Sequence, residues 1–270
     1  AYRVGHGRYV AITGTNGKTT TTTLVGEIFK AAARQTYVVG NIGVAVISKA
    51  LSAEKDSWLI TETSSFQLET IRDFRPEISA ILNLTPDHLD RHKTMQNYID
   101  AKARIFENQT KDQYCILNYD DAECRKLIEK CNATPVPFSR KEILDFGAYV
   151  KDENIVIKDA DGSVCEICGV EDLQIPGTHN LENALAACAI AHFAGIDAEV
   201  IAKVLREFQG VEHRIELCNE IDGIRFVNDS KGTNPDAAIR AIEAMKRDII
   251  LIAGGYDKGA SFDEFVNAFD

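Results

Sequence analysis

Residues 13–20 read Thr13-Gly14-Thr15-Asn16-Gly17-Lys18-Thr19-Thr20, directly after the strand-like run Arg8–Ile12 and opening a helical pattern over Lys18–Ala33. Strand, glycine-rich loop, Lys-Thr and helix in this order form a phosphate cradle. The glycines let backbone N–H groups turn inward on an anion, and the helix N-terminus adds a favourable dipole. Lys18 is placed to reach β- and γ-phosphates, and the Thr19 hydroxyl to ligate Mg²⁺. The G-x-x-x-x-G-K-[ST] spacing is not met, because Ile12 stands at its first glycine position. That departure argues against an ordinary GTPase or kinase.

Outward from this loop, short apolar runs alternate with helical patterns. Strands are predicted at Arg8–Ile12, Thr36–Val39, Trp58–Thr61, Ile78–Leu84 and Tyr114–Leu117, and helices at Lys18–Ala33, Val44–Leu51, Gln96–Glu107 and Asp121–Cys131. This is the signature of an α/β domain with a doubly wound parallel sheet, here of the P-loop ATPase type. Next, Ala148–Lys158 and Ser163–Ile167 flank Asp159-Ala160-Asp161-Gly162, a small β-hairpin signal. Helices follow at Leu181–Ala194 and Ala198–Phe208, then Arg214–Cys218, Ile224–Asn228, Pro235–Met245 and Ile249–Ala253 alternate again as strand, strand, helix, strand. A boundary near Gly210 gives domains 1–210 and 211–270. The second is expected to be an incomplete Rossmann-like domain, since roughly 60 residues hold too few elements to close such a sheet.

Composition narrows the function. The 270 residues carry a formal net charge of -11, which argues against nucleic acid and gives no attraction to an anionic membrane. No apolar run approaches the roughly 18 residues of a membrane span. Seven cysteines are scattered along the chain, and Cys165-x-x-Cys168 lacks the second pair of a zinc site. Reduced thiols of a cytoplasmic protein are expected. The chain opens on Ala1 without a signal-peptide pattern and stops at Phe269-Asp270, inside an amphipathic stretch begun near Ser261. Both ends read as cuts through a longer protein.

Several residues stand out chemically. Glu62 follows an apolar strand, where ligands bind in open parallel sheets; it is a hard donor for Mg²⁺ or else a solvated or capping loop glutamate. His88 follows Pro86-Asp87 in a loop, as a ligand or as a plain structural or exposed histidine. His92 is expected to be exposed. On a helical wheel Met95, Tyr98, Ile99, Ile105 and Phe106 share a face with Lys102 near its centre, while Asp100, Arg104 and Glu107 lie opposite. A lysine there is costly unless paired or neutralised, and the plain readings are a snorkelling stem or a salt bridge with a buried acid. Asn180 and Asn183, three apart at a helix start, turn their amides to one side, unless Asn180 is simply a cap. Lys231 and Thr233 lie on a glycine-containing loop before a helix starting near Pro235, a second ready anion site.

The loop spacing G-T-N-G-K-T-T resembles that of Mur ligases and folylpolyglutamate synthetases. Glu62-Thr63-Ser64-Ser65-Phe66-Gln67-Leu68-Glu69 is similar to the D-glutamate-adding Mur ligase in particular. The same resemblance continues in family order through Asn83–His92, Gly177–Ala184, His213-Arg214, Asn228–Asn234 and Gly254–Gly259. It implies an ATP-dependent, ADP-forming carbon–nitrogen ligase of peptidoglycan precursor synthesis, cytoplasmic and monomeric. Its substrates would be UDP-N-acetylmuramoyl-L-alanine and D-glutamate, with no nucleic-acid or membrane partner. The cofactors would be ATP, two Mg²⁺ and a CO₂-derived carbamate on Lys102.

Residue by residue, the resemblance gives ATP the loop Gly14, Thr15, Asn16, Gly17, Lys18, Thr19 and Thr20 together with Asn180, Asn183, Arg214 and Asp229. It gives the metals Thr19, Glu62, His88 and carbamylated Lys102. The nucleotide-sugar and amino-acid substrates take Asn41, Ser64, His88, Lys231, Thr233 and Lys258. Lys18, His88 and Lys102 are the implied catalytic residues. The family's amino-terminal uridine-binding domain is not found in this sequence. Two rivals stay open: a sister ligase or folylpolyglutamate synthetase, against which Thr63–Leu68 speaks, and a nucleotide-binding regulatory switch.

Overall fold

The computed structural model describes residues 1–245, 248–255 and 261–269. In chain order it runs β1 (Arg8–Thr13), α1 (Lys18–Ala31), β2 (Thr36–Gly40), α2 (Val46–Ala50), β3 (Trp58–Glu62), α3 (Ser65–Leu68), β4 (Ile78–Ile81), α4 (Leu89–His92), α5 (Met95–Ala103), β5 (Tyr114–Asn118) and α6 (Ala122–Ile128). Then come β6 (Thr134–Ser139), β7 (Gly147–Lys151), β8 (Asn154–Lys158), β9 (Val164–Gly169), α7 (Thr178–Phe193) and α8 (Ala198–Glu207). The last part holds β10 (Glu216–Ile221), β11 (Ile224–Asn228), α9 (Pro235–Ala244) and α10 (Asp263–Asn267).

Nine strands form one sheet in the order β2-β3-β1-β4-β5-β6-β7-β8-β9. Pairing is parallel from β2 across to β7 and antiparallel through β8 and β9. Side chains alternate across a strand, and β1 shows the consequence. Val10 and Ile12 join Leu24, Val25, Ile28 and Phe29 of α1 and the apolar face of α7 in the largest core. Tyr9 and Ala11 point the other way, towards α2 on one side and α3, α5 and α6 on the other. Helices cover both faces, which is why the central strands are apolar throughout. Among the described residues β10 and β11 pair only with each other, as an antiparallel ladder.

Three expectations are corrected. The run Ala148–Lys158 is two strands, because Asp152 and Glu153 both take left-handed φ values (49° and 59°) and fold it into a second hairpin. That hairpin and the expected one extend the main sheet. β6 escaped notice because Pro135 and Pro137 argue against an interior strand. Thr134 donates its N–H to Gln113 O just ahead of β5, so the two proline nitrogens face the β7 side, where pairing with β6 begins only at Phe138. Ile249–Ala253 carries no regular element; it has no partner strand among the described residues, and Ile250 and Ile252 are each 95% exposed.

Candidate functional site

β1 lies between β3 and β4, so the chain reverses its direction of sheet growth there. The crevice beyond the carboxyl ends of these strands is where ligands settle in such sheets. Three connections converge on it: the 13–18 loop after β1, Glu62–Ser65 after β3, and Asn83–His88 after β4. The first loop is fastened by Asn83. Thr15 N–H donates to the Asn83 carbonyl (3.0 Å), Asn16 N–H to Asn83 Oδ1 (2.8 Å), and Asn83 Nδ2 returns a bond to Asn16 O (3.1 Å). Gly17 then precedes α1 with φ 81°, and a Cβ there would stand 2.2 Å from Asn183 Oδ1. The glycine supplies both the left-handed turn and the room. The N–H groups of Lys18, Thr19 and Thr20 open α1 without intrahelical partners, as the first turn of any helix does.

Two lysines grip the same loop. Lys18 Nζ donates to Gly14 O (3.0 Å) and Thr15 O (2.7 Å). Lys102 Nζ donates to Gly14 O (2.8 Å) and Thr13 Oγ1 (3.3 Å) and sits 4.8 Å from the Tyr98 ring centre. Lys102 is 2% exposed, at the centre of the buried face of α5. Burial holds its amine well below the ordinary lysine value, and the neighbouring Lys18 charge pushes the same way. Lys18 is lowered too, chiefly by burial, with Glu62 and Asp87 pulling it back up.

Opposite the lysines, Glu62 ends β3, its Oε2 accepting from Thr19 Oγ1 (3.0 Å) and its Oε1 from Asn41 Nδ2 (2.8 Å). Ser64 caps α3 in a reciprocal box with Gln67. His88 heads α4 with φ 53°, and its ring lies 5.0 Å from that of Phe66.

Behind the loop, α7 and the residues after β9 bound a narrow cleft of about 60 Å³ that includes Asn16, His179, Asn183, Arg214 and Asp229. Asn183 Nδ2 donates to Asn180 Oδ1 (3.1 Å), and Asn183 Oδ1 accepts from Thr21 Oγ1 (3.2 Å). Asn180 is not a cap: α7 is capped by Gly177, and Asn180 Nδ2 donates to Pro176 O (2.6 Å). Burial lowers Arg214 and raises Asp229, each charge partly offsetting the other's shift. The start of α9 closes the cleft, with Asp236 accepting from Asn16 Nδ2 and Asn234 Nδ2 donating to Asn16 Oδ1 (3.2 Å).

The residues singled out from sequence therefore fall into two groups. Gly14 to Thr20, Asn41, Glu62 and Lys102 meet around the end of β1, with Ser64 and His88 on the adjoining loops, while Asn180, Asn183, Arg214 and Asp229 line or adjoin the cleft. Lys231 and Thr233 lie between β11 and α9, where Lys231 N–H donates to His213 O (3.2 Å). Lys258 lies outside the described residues. His92 is corrected: it is 5% exposed, not a surface histidine. Asn83, Tyr98 and Asp236 had no assigned part, although the first two lie in or beside quoted segments. Among the described residues no three His, Cys, Asp or Glu side chains converge as a metal cage, and no helix is long and apolar enough to cross a membrane.

Comparison with known families gives two matches: "Mur ligase middle domain" over residues 12–191 and "Mur ligase, glutamate ligase domain" over 213–270. The chain belongs to the Mur ligase family. Among relatives of this Mur ligase chain, the UDP-N-acetylmuramoylalanine--D-glutamate ligase of Thermoanaerobacter sp. (strain X514) is 57% identical over 270 residues, covering 100% of this chain and 59% of that protein. The Alkaliphilus oremlandii (strain OhILAs) protein of the same name is 58% identical with the same coverage. That of Clostridioides difficile (strain 630) is 55% identical over 96% of this chain and 57% of its own length. The chain thus spans about three-fifths of the length of the curated relatives it matches. In fold it is similar to a solved UDP-N-acetylmuramoyl-L-alanyl-D-glutamate--2,6-diaminopimelate ligase, with TM-score 0.69, 24% identity, and 92% of this chain and 55% of that one covered. A MurF ligase from Thermotoga maritima in complex with ADP gives TM-score 0.68 at 19% identity, over 89% and 57% of the two chains.

Proposed function

We propose that this chain is the ATP-binding centre (1–210) and the beginning of the carboxy-terminal domain (211–270) of a cytoplasmic, monomeric ligase that joins D-glutamate to UDP-N-acetylmuramoyl-L-alanine. The observation that carries the reading is the convergence of Lys18, Lys102 and the Thr19–Glu62 pair on one phosphate-type loop at the switch point of the sheet. The names of the relatives support the choice of substrates.

The reaction has two steps. The L-alanyl carboxylate attacks the γ-phosphorus of ATP, forming an acyl phosphate and releasing ADP. The amine of D-glutamate then attacks the acyl carbon, and phosphate leaves with the former carboxylate oxygen as the amine sheds a proton. The chain positions and neutralises; no side chain is acylated. Lys18 leaves its carbonyl contacts to take the phosphoryl charge, while the N–H groups opening α1 hold the phosphates. Asn180 and Asn183 face the adenine, Arg214 and Asp229 the phosphates and ribose. Asn41, Ser64 and His88 face the nucleotide-sugar, and Lys231, Thr233 and Lys258 serve the substrates from beyond β11.

Thr19 and Glu62 fit Mg²⁺, which is ordinarily held by one or two protein oxygens plus phosphates and water. Mg²⁺ supplies charge neutralisation at the transferring phosphoryl group. His88 and a carbamate on Lys102 would hold a second ion; the depressed, buried amine of Lys102 suits CO₂ addition, which needs the neutral form.

The test is ligation by the full-length protein with ATP, Mg²⁺ and a panel of UDP-linked precursors and amino acids. D-glutamate addition to UDP-N-acetylmuramoyl-L-alanine, lost in Lys18→Ala by about 10³-fold or more, is expected. Preference for another precursor or amino acid would favour a sister ligase.

A further inference from the structure

His92 closes α4, and Lys93 after it takes φ 70°, turning the chain into α5 and the ring inward. There it meets three elements at once. Its Nε2 lies 3.0 Å from Ser65 Oγ and its Nδ1 3.5 Å from Glu69 Oε1, at the two ends of α3. Its ring stacks on Phe66 (5.6 Å, 5° between planes), and Phe66 also meets the His88 ring and, at 6.0 Å, the Arg91 guanidinium. On its far side it packs against Tyr98 (5.3 Å), whose hydroxyl is 3.1 Å from Thr15 Oγ1 in the phosphate loop. Asn97 Nδ2 donates to the His92 carbonyl (2.8 Å) and fixes the turn itself.

The line Ser65–His92–Glu69 has the order of a nucleophile triad. Ser65 is 2% exposed and His92 5%, so an acyl donor has no access; the line is a lock. Arg91 takes Glu69 at 2.8 Å, and burial keeps the imidazole below its ordinary pKa, hence neutral. A neutral ring with its proton on Nδ1 towards Glu69 leaves Nε2 to accept from the Ser65 hydroxyl.

We infer that His92 is a positioning residue: it holds the turn bearing Ser64 and, through Phe66, the His88 ring in register with the phosphate loop. This rests on the function proposed above. Losing the ring's polar contacts lets α3 and His88 drift relative to Thr15, while Lys18, Asn180 and Asn183 keep their places. The effect belongs in nucleotide-sugar affinity and metal requirement, not in ATP affinity.

The experiment compares parent, His92→Phe, His92→Gln and Ser65→Ala in the full-length protein. The phenylalanine keeps the stack and loses both polar contacts. The glutamine returns an acceptor near the Nε2 position. His92→Phe and Ser65→Ala are expected to raise KM for UDP-N-acetylmuramoyl-L-alanine and the Mg²⁺ concentration for half activity by about tenfold each, with KM for ATP unchanged and His92→Gln largely restored. A second readout needs no turnover: histidine-selective NMR of the ligand-free 270-residue chain, where the His88 ring resonances move in His92→Phe and return in His92→Gln. Melting temperatures that fall while both kinetic constants and the His88 resonances stay put would overturn the inference, as would glutamine performing no better than phenylalanine. A parent inactive on these substrates would sink the proposed function instead, and the NMR comparison would still decide His92. If His92→Phe does not fold, Ser65→Ala breaks the same bond from the other side and carries the test.

Discussion

Replacing Gly17 by alanine separates two costs that the structure places on one atom. The residue has φ 81° and ψ -13°, and the added Cβ would lie 2.2 Å from Asn183 Oδ1. Left-handed backbone costs an L-residue about 1–2 kcal/mol. Forcing a methyl against a packed side chain costs about 1–3 kcal/mol more. Gly17→Ala is therefore expected to destabilise by about 2–5 kcal/mol, a large part of the roughly 5–15 kcal/mol typical of a folded protein. Asn183→Ala removes the obstructing oxygen and also the bonds to Thr21 Oγ1 and Asn180 Oδ1, at about 1–3 kcal/mol. In the double variant the clash with Asn183 Oδ1 is gone while the φ cost and the lost bonds remain, so the combined destabilisation is about 1–3 kcal/mol less than the sum of the separate values. Urea unfolding of the four proteins, followed by circular dichroism at a common m-value, measures this coupling. Additivity within about 0.5 kcal/mol would refute the claim that Asn183 packs against this turn, and with it the reason given for glycine there.

Two further outcomes are expected. Burial holds His179 at about 4, against an ordinary 6.5, with Arg240 and Arg214 pushing the same way; between these values the unfolded chain binds a proton that the folded one refuses. Stability is then full above pH 6.5 and is lost as pH falls through about 4, so the urea midpoint of His179→Gln should decline less over that window, and an unchanged decline would count against a half-buried imidazole held neutral. Lys102 of the full-length protein is expected to give a carbamate signal in carbon-13 NMR with labelled bicarbonate and Mg²⁺ that is missing in Lys102→Met; no signal in active enzyme leaves it an ordinary buried lysine.

How much was legible depended on whether the cause was local. The apolar run Arg8–Ile12 and the wheel that centred Lys102 are properties of one element, and both read through to burial: Ile12 is fully enclosed and Lys102 is 2% exposed. The glycine turn at 13–18 is likewise local. Asn83 was quoted within a motif yet given no task, because its task exists only once β4 lies beside β1 and brings residues 67 apart into contact. Asp236, 220 residues from Asn16, is a stronger case of the same kind. His92 misled for a local reason: Asp90, Arg91 and Lys93 around it describe a solvated segment, and only the left-handed φ at Lys93, which a lysine sequence does not advertise, turns the ring into the protein.

The same long-range contacts explain why the loop carries two lysines instead of one. Gly14 O has two lone pairs and both are used, by Lys18 at 3.0 Å and Lys102 at 2.8 Å. Lys18 stands on α1, next to the N–H groups that would meet a phosphate, and can exchange its carbonyls for that anion with little movement of the helix. Lys102 comes from α5 and is 2% exposed, with its Nζ 4.8 Å from the Tyr98 ring centre. On the proposed function, when Lys18 leaves, the loop keeps one anchor, and the Lys18 charge, which adds to burial in depressing the Lys102 amine, moves towards the phosphates. The pair thus divides two tasks that a single lysine would have to alternate between: Lys18 travels to the substrate while the nitrogen of Lys102, which keeps an N–H as a neutral amine and as a carbamate alike, holds the carbonyl of Gly14, and so the curvature of the loop, in place.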